Sequence, residues 1–194
     1  MNLLVESLSI PEIRIVKPKK FSDGRGFFSE IYSQLAFSEA GVPTTFVQDN
    51  QSFSAENNTV RGLHFQTAPY AQDKLVRVVQ GAIFDVAVDI RTGSPTFGKY
   101  VSTVISYVNW NQVFVPAGFA HGFMTLEPNT EVIYKVSNYY APDHEKGLLW
   151  NDPALGIDWP SAANRAILSA KDKVLPRLAD MPVYFRYKGE QIGQ

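Results

Sequence analysis

Three histidines occur in the 194-residue chain: His64, His121 and His144. The first lies in RGLHFQ at 61–66, between apolar residues and close to turn-forming ones. A lone strand histidine is more often packed than reactive, so His64 alone decides little. The other polar residues that interrupt apolar runs in the same way shift the balance. Asp49 and Asn50 follow TTFVQ, Arg61 shares the segment of His64, and Lys74 opens KLVRVV. His121 lies in PAGFAHGF, and Tyr134 and Lys135 lie in EVIYKVSNYY.

Two chemistries suit such a set. Imidazoles bind zinc, iron or copper, usually as two or three histidines with a carboxylate. Here Gln66 stands two residues after His64, where a His-x-His pair would be wanted, and the next ionisable residues are Asp73 and Lys74. A third histidine ligand would have to be His144, from a loop. Acid–base chemistry uses the set better. A histidine accepts a proton near neutral pH, a tyrosine stays protonated there and donates, and an ammonium steadies charge growing on a carbonyl oxygen. Base, acid and oxyanion stabiliser together suit proton abstraction next to a ketone. Their convergence in space is the expectation that the fold must meet.

The elements that would bring them together are β-rich. Short runs separated by Gly, Pro, Asn and Asp read as strands: 44–48, 74–79, 82–90, 100–108, 112–116 and 131–140. In AIFDVAVDI, alternation sets Ile83, Asp85, Ala87 and Asp89 on one face and Phe84, Val86, Val88 and Ile90 on the other. SQLAFSEAG at 33–41 is the best helix candidate, stopped by Gly41. A short helix is also expected around SAKDKVLPRL, within a looser segment that begins after Pro142. Closely punctuated strands indicate a β-sandwich or barrel, in which polar side chains from several strands meet at the mouth.

Composition narrows the class. The chain is 45% hydrophobic and 19% charged with a formal net charge of −1, which gives no general reason to expect nucleic acid or an anionic membrane as partner. No cysteine is present, so disulfides and thiolate metal sites are excluded. No apolar run nears the roughly 20 residues that span a bilayer, and the N-terminus lacks the form of a signal peptide. A soluble, cytoplasmic protein is expected.

The motifs taken in order resemble the dTDP-4-dehydrorhamnose 3,5-epimerase family. They are FSDGRGFFSE, FVQDNQS, RGLHFQ, KLVR with GAIFDVAVDIR and SPTFG, VPAGFAHGF, YKVSNYYAP, LLWNDPALGIDWP and SAKD, covering roughly residues 10 to 180. The resemblance implies an all-β, cupin-type jelly roll with short peripheral helices. It implies one domain over 1–194, with an N-terminal arm (about 1–45) contacting a partner subunit and an irregular C-terminal segment (about 142–194). It further implies a homodimer without cofactor or metal, acting on a dTDP-sugar and inverting carbons 3 and 5 through an enolate. The catalytic residues would be His64 as base, Tyr134 as proton donor, Asp172 orienting the base, and Lys74 near the sugar ketone. Substrate contacts would fall on Phe21, Arg25, Glu30, Gln48, Asp49, Asn50, Arg61, His121, Tyr140, Glu145 and Lys171, with residues 21–30 lent to the neighbouring subunit's site.

Each assignment has a plainer counterpart. Arg61 suits a surface ion pair, Asp172 a helix cap, Tyr139 and Tyr140 the edge of a core, and His144 a solvated loop. Gly62, Gly118 and Gly122 suit backbone geometry. Asp73 stands where the family often carries glycine, which alters the charge beside Lys74, and the tail from 182 has no assigned role. Alternative activities are single-site epimerisation, a metal-dependent cupin, or a binding-only cupin. Strict alternation would place Arg61 and His64 on opposite faces, so a bulge or twist at Gly62, or a strand starting after it, is expected.

Overall fold

The structure is a computed structural model that describes residues 3–161 and 163–189. Two antiparallel sheets face each other. The first runs Leu3–Ser7, Arg14–Pro18, Gln112–Val115, Lys74–Gln80, Thr130–Val136, Gln48–Ser54. The second runs Tyr100–Ser106, Ala82–Asp89, Phe119–Thr125, Val60–Gln66, Glu145–Gly147. Successive strands cross between the sheets, the connectivity of a jelly roll.

Three apolar layers follow from the strand alternation. Between the sheets, Val76, Val78, Val113 and Val132 of the first meet Ile83, Ala87, Ile105 and Phe123 of the second. Outside the second sheet, Val86, Val88, Ile90, Leu63 and Phe65 are covered by Trp159, Leu178, Met181, Tyr184 and Phe185. Outside the first, Val16, Leu75 and Phe114 are covered by Phe37 and Val42. Both faces of Ala82–Asp89 are therefore buried, and so both faces of its sequence are mostly apolar. The segment beyond 182 acquires a function here: Tyr184 and Phe185 pack on Phe65, and Phe185–Arg186 pairs in parallel with Arg91–Thr92. Residues 190–194 of that tail lie outside the described residues.

Several elements differ from the expectation. The run at 44–48 is irregular, and the strand begins at Gln48 and continues to Ser54. Its inward residues Gln48, Asn50 and Ser52 are polar because they border a cavity, so no hydrophobic alternation marks it. Phe119–Thr125 is a fully buried central strand whose Gly122 hid the pattern. Leu3–Ser7 and Arg14–Pro18 are further strands, outside the β-rich runs expected from the sequence. The expected C-terminal helix is instead two single 3-10 turns, Asp172–Val174 and Leu178–Asp180. Pro176 lies between them and cannot donate a helical hydrogen bond. The helix at Gln34–Glu39 forms as expected, capped by the Ser33 side chain, with Gly41 at φ +88°.

A buried ionic knot fixes one end of the second sheet. Asp89 is fully buried and accepts from the Arg91 guanidinium (2.7 and 2.9 Å), Ser94 Oγ (2.6 Å) and Thr96 Oγ1 (2.7 Å). Burial pushes its carboxyl up, but these donors outweigh it and hold the pKa below the usual range. Arg91 also bonds Glu12 (2.8 Å) and lies over the rings of Phe119 and Tyr187. Arg91→Ala strands that carboxylate and is expected to cost about 3–5 kcal/mol in urea unfolding.

Candidate active site

Near one end of the sandwich the apolar filling gives way to a cavity of about 520 Å³, within the size range of small-ligand sites. Its walls come from both sheets. Gln48, Asn50, Ser52, Lys74 and Tyr134 project from the first; Arg61, His64, His121 and Glu145 project from the second. Lys171 and Asp172 close it from the C-terminal segment.

The expected irregularity at Gly62 is a bulge. His121 pairs with His64, yet Phe123 pairs with Arg61, so Gly62 and Leu63 together oppose the single residue Gly122. One extra residue restores the inward face, and Arg61 and His64 both reach the cavity. Only glycines allow it. Gly62 has φ +124°, and a Cβ there would lie 2.6 Å from the Gly122 Cα; a Cβ on Gly122 would lie 2.6 Å from the Arg61 carbonyl oxygen.

His64 Nε2 and Asp172 Oδ1 are 2.6 Å apart, and Asp172 Oδ2 accepts from the Gly62 N–H at 3.4 Å. Asp172 is buried, which pushes its carboxyl up. The bonds from His64, Gly62 and Ser169 more than offset this and keep its pKa below the ordinary value. With Nε2–H given to the carboxylate, Nδ1 is the ring's free acceptor. Tyr134 stands on the facing sheet; burial raises its pKa, partly opposed by the Arg61 charge, so it keeps its proton at neutral pH. Lys74 Nζ donates to the His64 carbonyl at 3.1 Å. Burial pulls Lys74 down to about 8, against the attraction of Asp85 and Glu145, so it remains mostly ammonium at pH 7. Asp73 does not disturb it. Its carboxylate accepts from Thr44 Oγ1 (2.7 Å) and the Ala117 N–H (2.8 Å), tying two loops together.

A second histidine–carboxylate pair lies beside the first. His121 Nε2 is 2.8 Å from Asp85 Oδ2, both buried, and the Cα atoms of His121 and His64 are cross-strand partners. In sequence, alternation only groups Asp85 with Ile83, Ala87 and Asp89 on one face and gives it no role. At the rim, Glu145 accepts from Lys171 (2.6 Å) and the Tyr140 hydroxyl (2.8 Å). Partial burial raises the Glu145 carboxyl, but these donors hold it low, while the same bond raises Tyr140. Arg61 is anchored by Nε to Ser54 Oγ (3.1 Å) and by Nη2 to the Phe53 carbonyl (2.8 Å).

Some expected residues are not gathered within one chain. Asp49 faces away from the cavity and pairs with Lys135 at 2.9 Å, because alternation turns it opposite to Gln48 and Asn50. Phe21, Arg25 and Glu30 lie on or beside an exposed hairpin, Phe21–Asp23 with Gly26–Phe28, outside the cavity lining; Arg25 pairs with Asp23. His144 is a packing residue, bonded to Thr67 Oγ1 (3.0 Å) and with its ring tilted against that of Tyr70. The cavity lining also includes Gln66 and Gln72, which the sequence did not single out. Among the described residues, no three His, Cys, Asp or Glu side chains gather as metal ligands would, and no helix is long and apolar enough to cross a membrane.

A jelly roll whose interior cavity holds an oriented histidine facing a protonated tyrosine defines an acid–base enzyme of the cupin-like class. Residues 7–180 match the family described as dTDP-4-dehydrorhamnose 3,5-epimerase, and the chain belongs to that family of isomerases. An enzyme of that name from Sinorhizobium fredii is 52% identical over 186 residues, covering 96% of this chain and 95% of its own. The Bacillus anthracis epimerase, solved with TDP and pyrophosphate bound, is 49% identical with a TM-score of 0.87, covering 91% of this chain and 99% of that one. The Legionella pneumophila epimerase, solved with dTDP-4-keto-L-rhamnose, is 40% identical with a TM-score of 0.91, covering 96% and 100%.

Lys74 also sets a stability expectation. Its pKa is lower folded than unfolded, so the unfolded chain binds more protons between about 8 and the ordinary 10.5. Its contribution to stability therefore rises with pH across that window. Lys74→Met is expected to remove that slope and to raise Tm at pH 7 by a few degrees (about 2–4 °C per kcal/mol at this size), measured by calorimetry from pH 7 to 10.

Proposed function

We propose that the chain inverts carbons 3 and 5 of dTDP-4-dehydro-6-deoxy-D-glucose, giving dTDP-4-dehydro-L-rhamnose. The observation that carries this reading is the placement of His64, oriented by Asp172, on one sheet and Tyr134 on the sheet that faces it. Inverting a carbon beside a ketone removes a proton from one face of the ring and returns one to the other. An acid and a base on opposite walls meet that need.

In this reading His64 Nδ1 takes the proton, and the charge moves to the oxygen at carbon 4. The Lys74 ammonium stabilises that enolate, and the Tyr134 hydroxyl returns a proton from the far side. The ring then carries the opposite configuration; His64 gives its proton to solvent, Tyr134 takes one back from solvent, and the restored pair repeats the exchange at the second carbon. Both inversions are proton transfers, so the residues need no cofactor or metal for them. His121, held by Asp85, contacts the sugar. Arg61 takes the diphosphate, with Gln48, Asn50, Tyr140, Glu145 and Lys171 contacting the rest of the nucleotide.

We propose further that the enzyme is a cytoplasmic homodimer formed from single-domain chains. The exposed Phe21 and Phe28 and the solvent-facing Arg25 support an arm that completes the neighbouring site. Glu30, beside the same hairpin, would act across that boundary.

Incubation of the 4-keto sugar nucleotide in D2O is expected to place deuterium at both carbons 3 and 5, read by NMR. Exchange at one carbon alone identifies a single-site epimerase, and no exchange defeats the reading. His64→Ala and Tyr134→Phe are each expected to lose about 10²–10⁴ in kcat. Lys74→Ala should lose about 10²–10³. In the parent enzyme kcat should decline above pH 8 as Lys74 gives up its proton.

A further inference from the structure

Gln66 follows the base by two residues on the same strand face, and it is only 4% exposed at the cavity wall. A glutamine amide offers two donors and an acceptor, and here all are used. Nε2 donates to the carbonyls of Tyr70 (2.8 Å) and Tyr139 (3.1 Å), and Oε1 accepts from the Ala141 N–H (2.8 Å). Two carbonyls on one side and an N–H on the other leave the amide a single orientation. Residues 139 and 141 flank Tyr140, whose own N–H donates to Gln48 Oε1 (3.1 Å). The strand that carries Tyr134 has ended at Val136, and the next element, a 3-10 turn, begins at Pro142. Side-chain amides therefore do for Tyr140 what a neighbouring strand does elsewhere: they hold its backbone on both sides.

The ring is held from the same place. Tyr140 is exposed at the cavity rim, with its hydroxyl bonded to Glu145 Oε2 at 2.8 Å. Glu145 is the cross-strand partner of Gln66. One residue thus bears on both ends of the tyrosine: on the backbone through its amide, and on the hydroxyl through strand pairing. We propose that Gln66 is a positioning residue that fixes Tyr140 at the rim, so that the strand carrying the base also sets a wall for the nucleotide. The inference rests on the reading of Tyr140 as a nucleotide contact. A ring on a segment outside any strand would otherwise lose backbone freedom each time it met a ligand, and the amide removes that cost beforehand.

Gln66→Met keeps the length of the side chain and deletes all three bonds. Its calorimetric Kd for TDP is expected to rise about tenfold, and that of Tyr140→Ala by a similar factor, the worth of one well-placed aromatic contact. Because Gln66 acts through the tyrosine, the double variant should bind no more weakly than Tyr140→Ala. Tm of Gln66→Met should also fall, since three backbone groups lose their partner, so affinities are compared well below the transition. A lowered Tm with TDP affinity at the parent value makes Gln66 a purely structural residue and overturns the proposal. Losses that add in the double variant overturn it too. Gln66→Glu keeps the shape and the acceptor for Ala141 but lacks the amide donors. It carries the same cycle should Gln66→Met fail to fold, and parent affinity there is equally fatal. Unchanged affinity in Tyr140→Ala overturns instead the reading of Tyr140 as a nucleotide contact.

Discussion

The close approach of Gly62 and Gly122 sets the geometry of the cavity. Where two backbones nearly touch, the strand carrying His64 takes in one extra residue, and the two-residue period of its side chains slips by one. Without the slip, Arg61 and His64 would face opposite ways, one into the cavity and the other into the layer of Trp159 and Leu178. The same bulge turns the Gly62 N–H toward Asp172, so the distortion that aims the histidine also helps to hold its partner. A local break in a regular sheet thus places a guanidinium and an imidazole in one chamber.

The second constraint is the cost of burying charge. Asp89 and Asp172 are nearly inaccessible, and each is surrounded by donors that keep it ionised. Asp85 is equally buried and bonded to His121. Lys74 is handled differently. It has a backbone carbonyl and two more distant carboxylates, but no close ion-pair partner among the described residues, and burial lowers its pKa. An ammonium left short of compensation suits a site that must meet negative charge only when an enolate forms, since a tight ion pair would already have used that charge.

Asp73 illustrates how a departure from a familiar pattern resolves in three dimensions. In sequence it adds a carboxylate beside the lysine. In the fold, alternation turns it to the opposite side, where two neutral donors satisfy it. The covering segments follow a similar logic: a sheet buried on both faces needs an outer layer, and the irregular C-terminal stretch with its aromatic residues supplies it.

The sequence by itself determined the β-rich class, the strands Lys74–Gln80, Ala82–Asp89, Tyr100–Ser106, Gln112–Val115 and Thr130–Val136, the helix stopped at Gly41 and the break at Gly62. These follow from local rules of alternation, capping and glycine freedom that operate over a few residues. It also made His64, Lys74, Tyr134 and Asp172 legible, because their types suit one chemistry and their motifs are distinctive. Only the tertiary structure decided which of these side chains share a space. Gln48–Ser54 was obscure because a cavity-lining strand is polar on its inward face, and the pairing of Asp85 with His121 joins residues 36 positions apart. Asp49 reads like its neighbours Gln48 and Asn50 in one dimension, yet the pleat sends it to the other side. Long-range contacts of this kind are set by how sheets stack, and no local pattern carries that information.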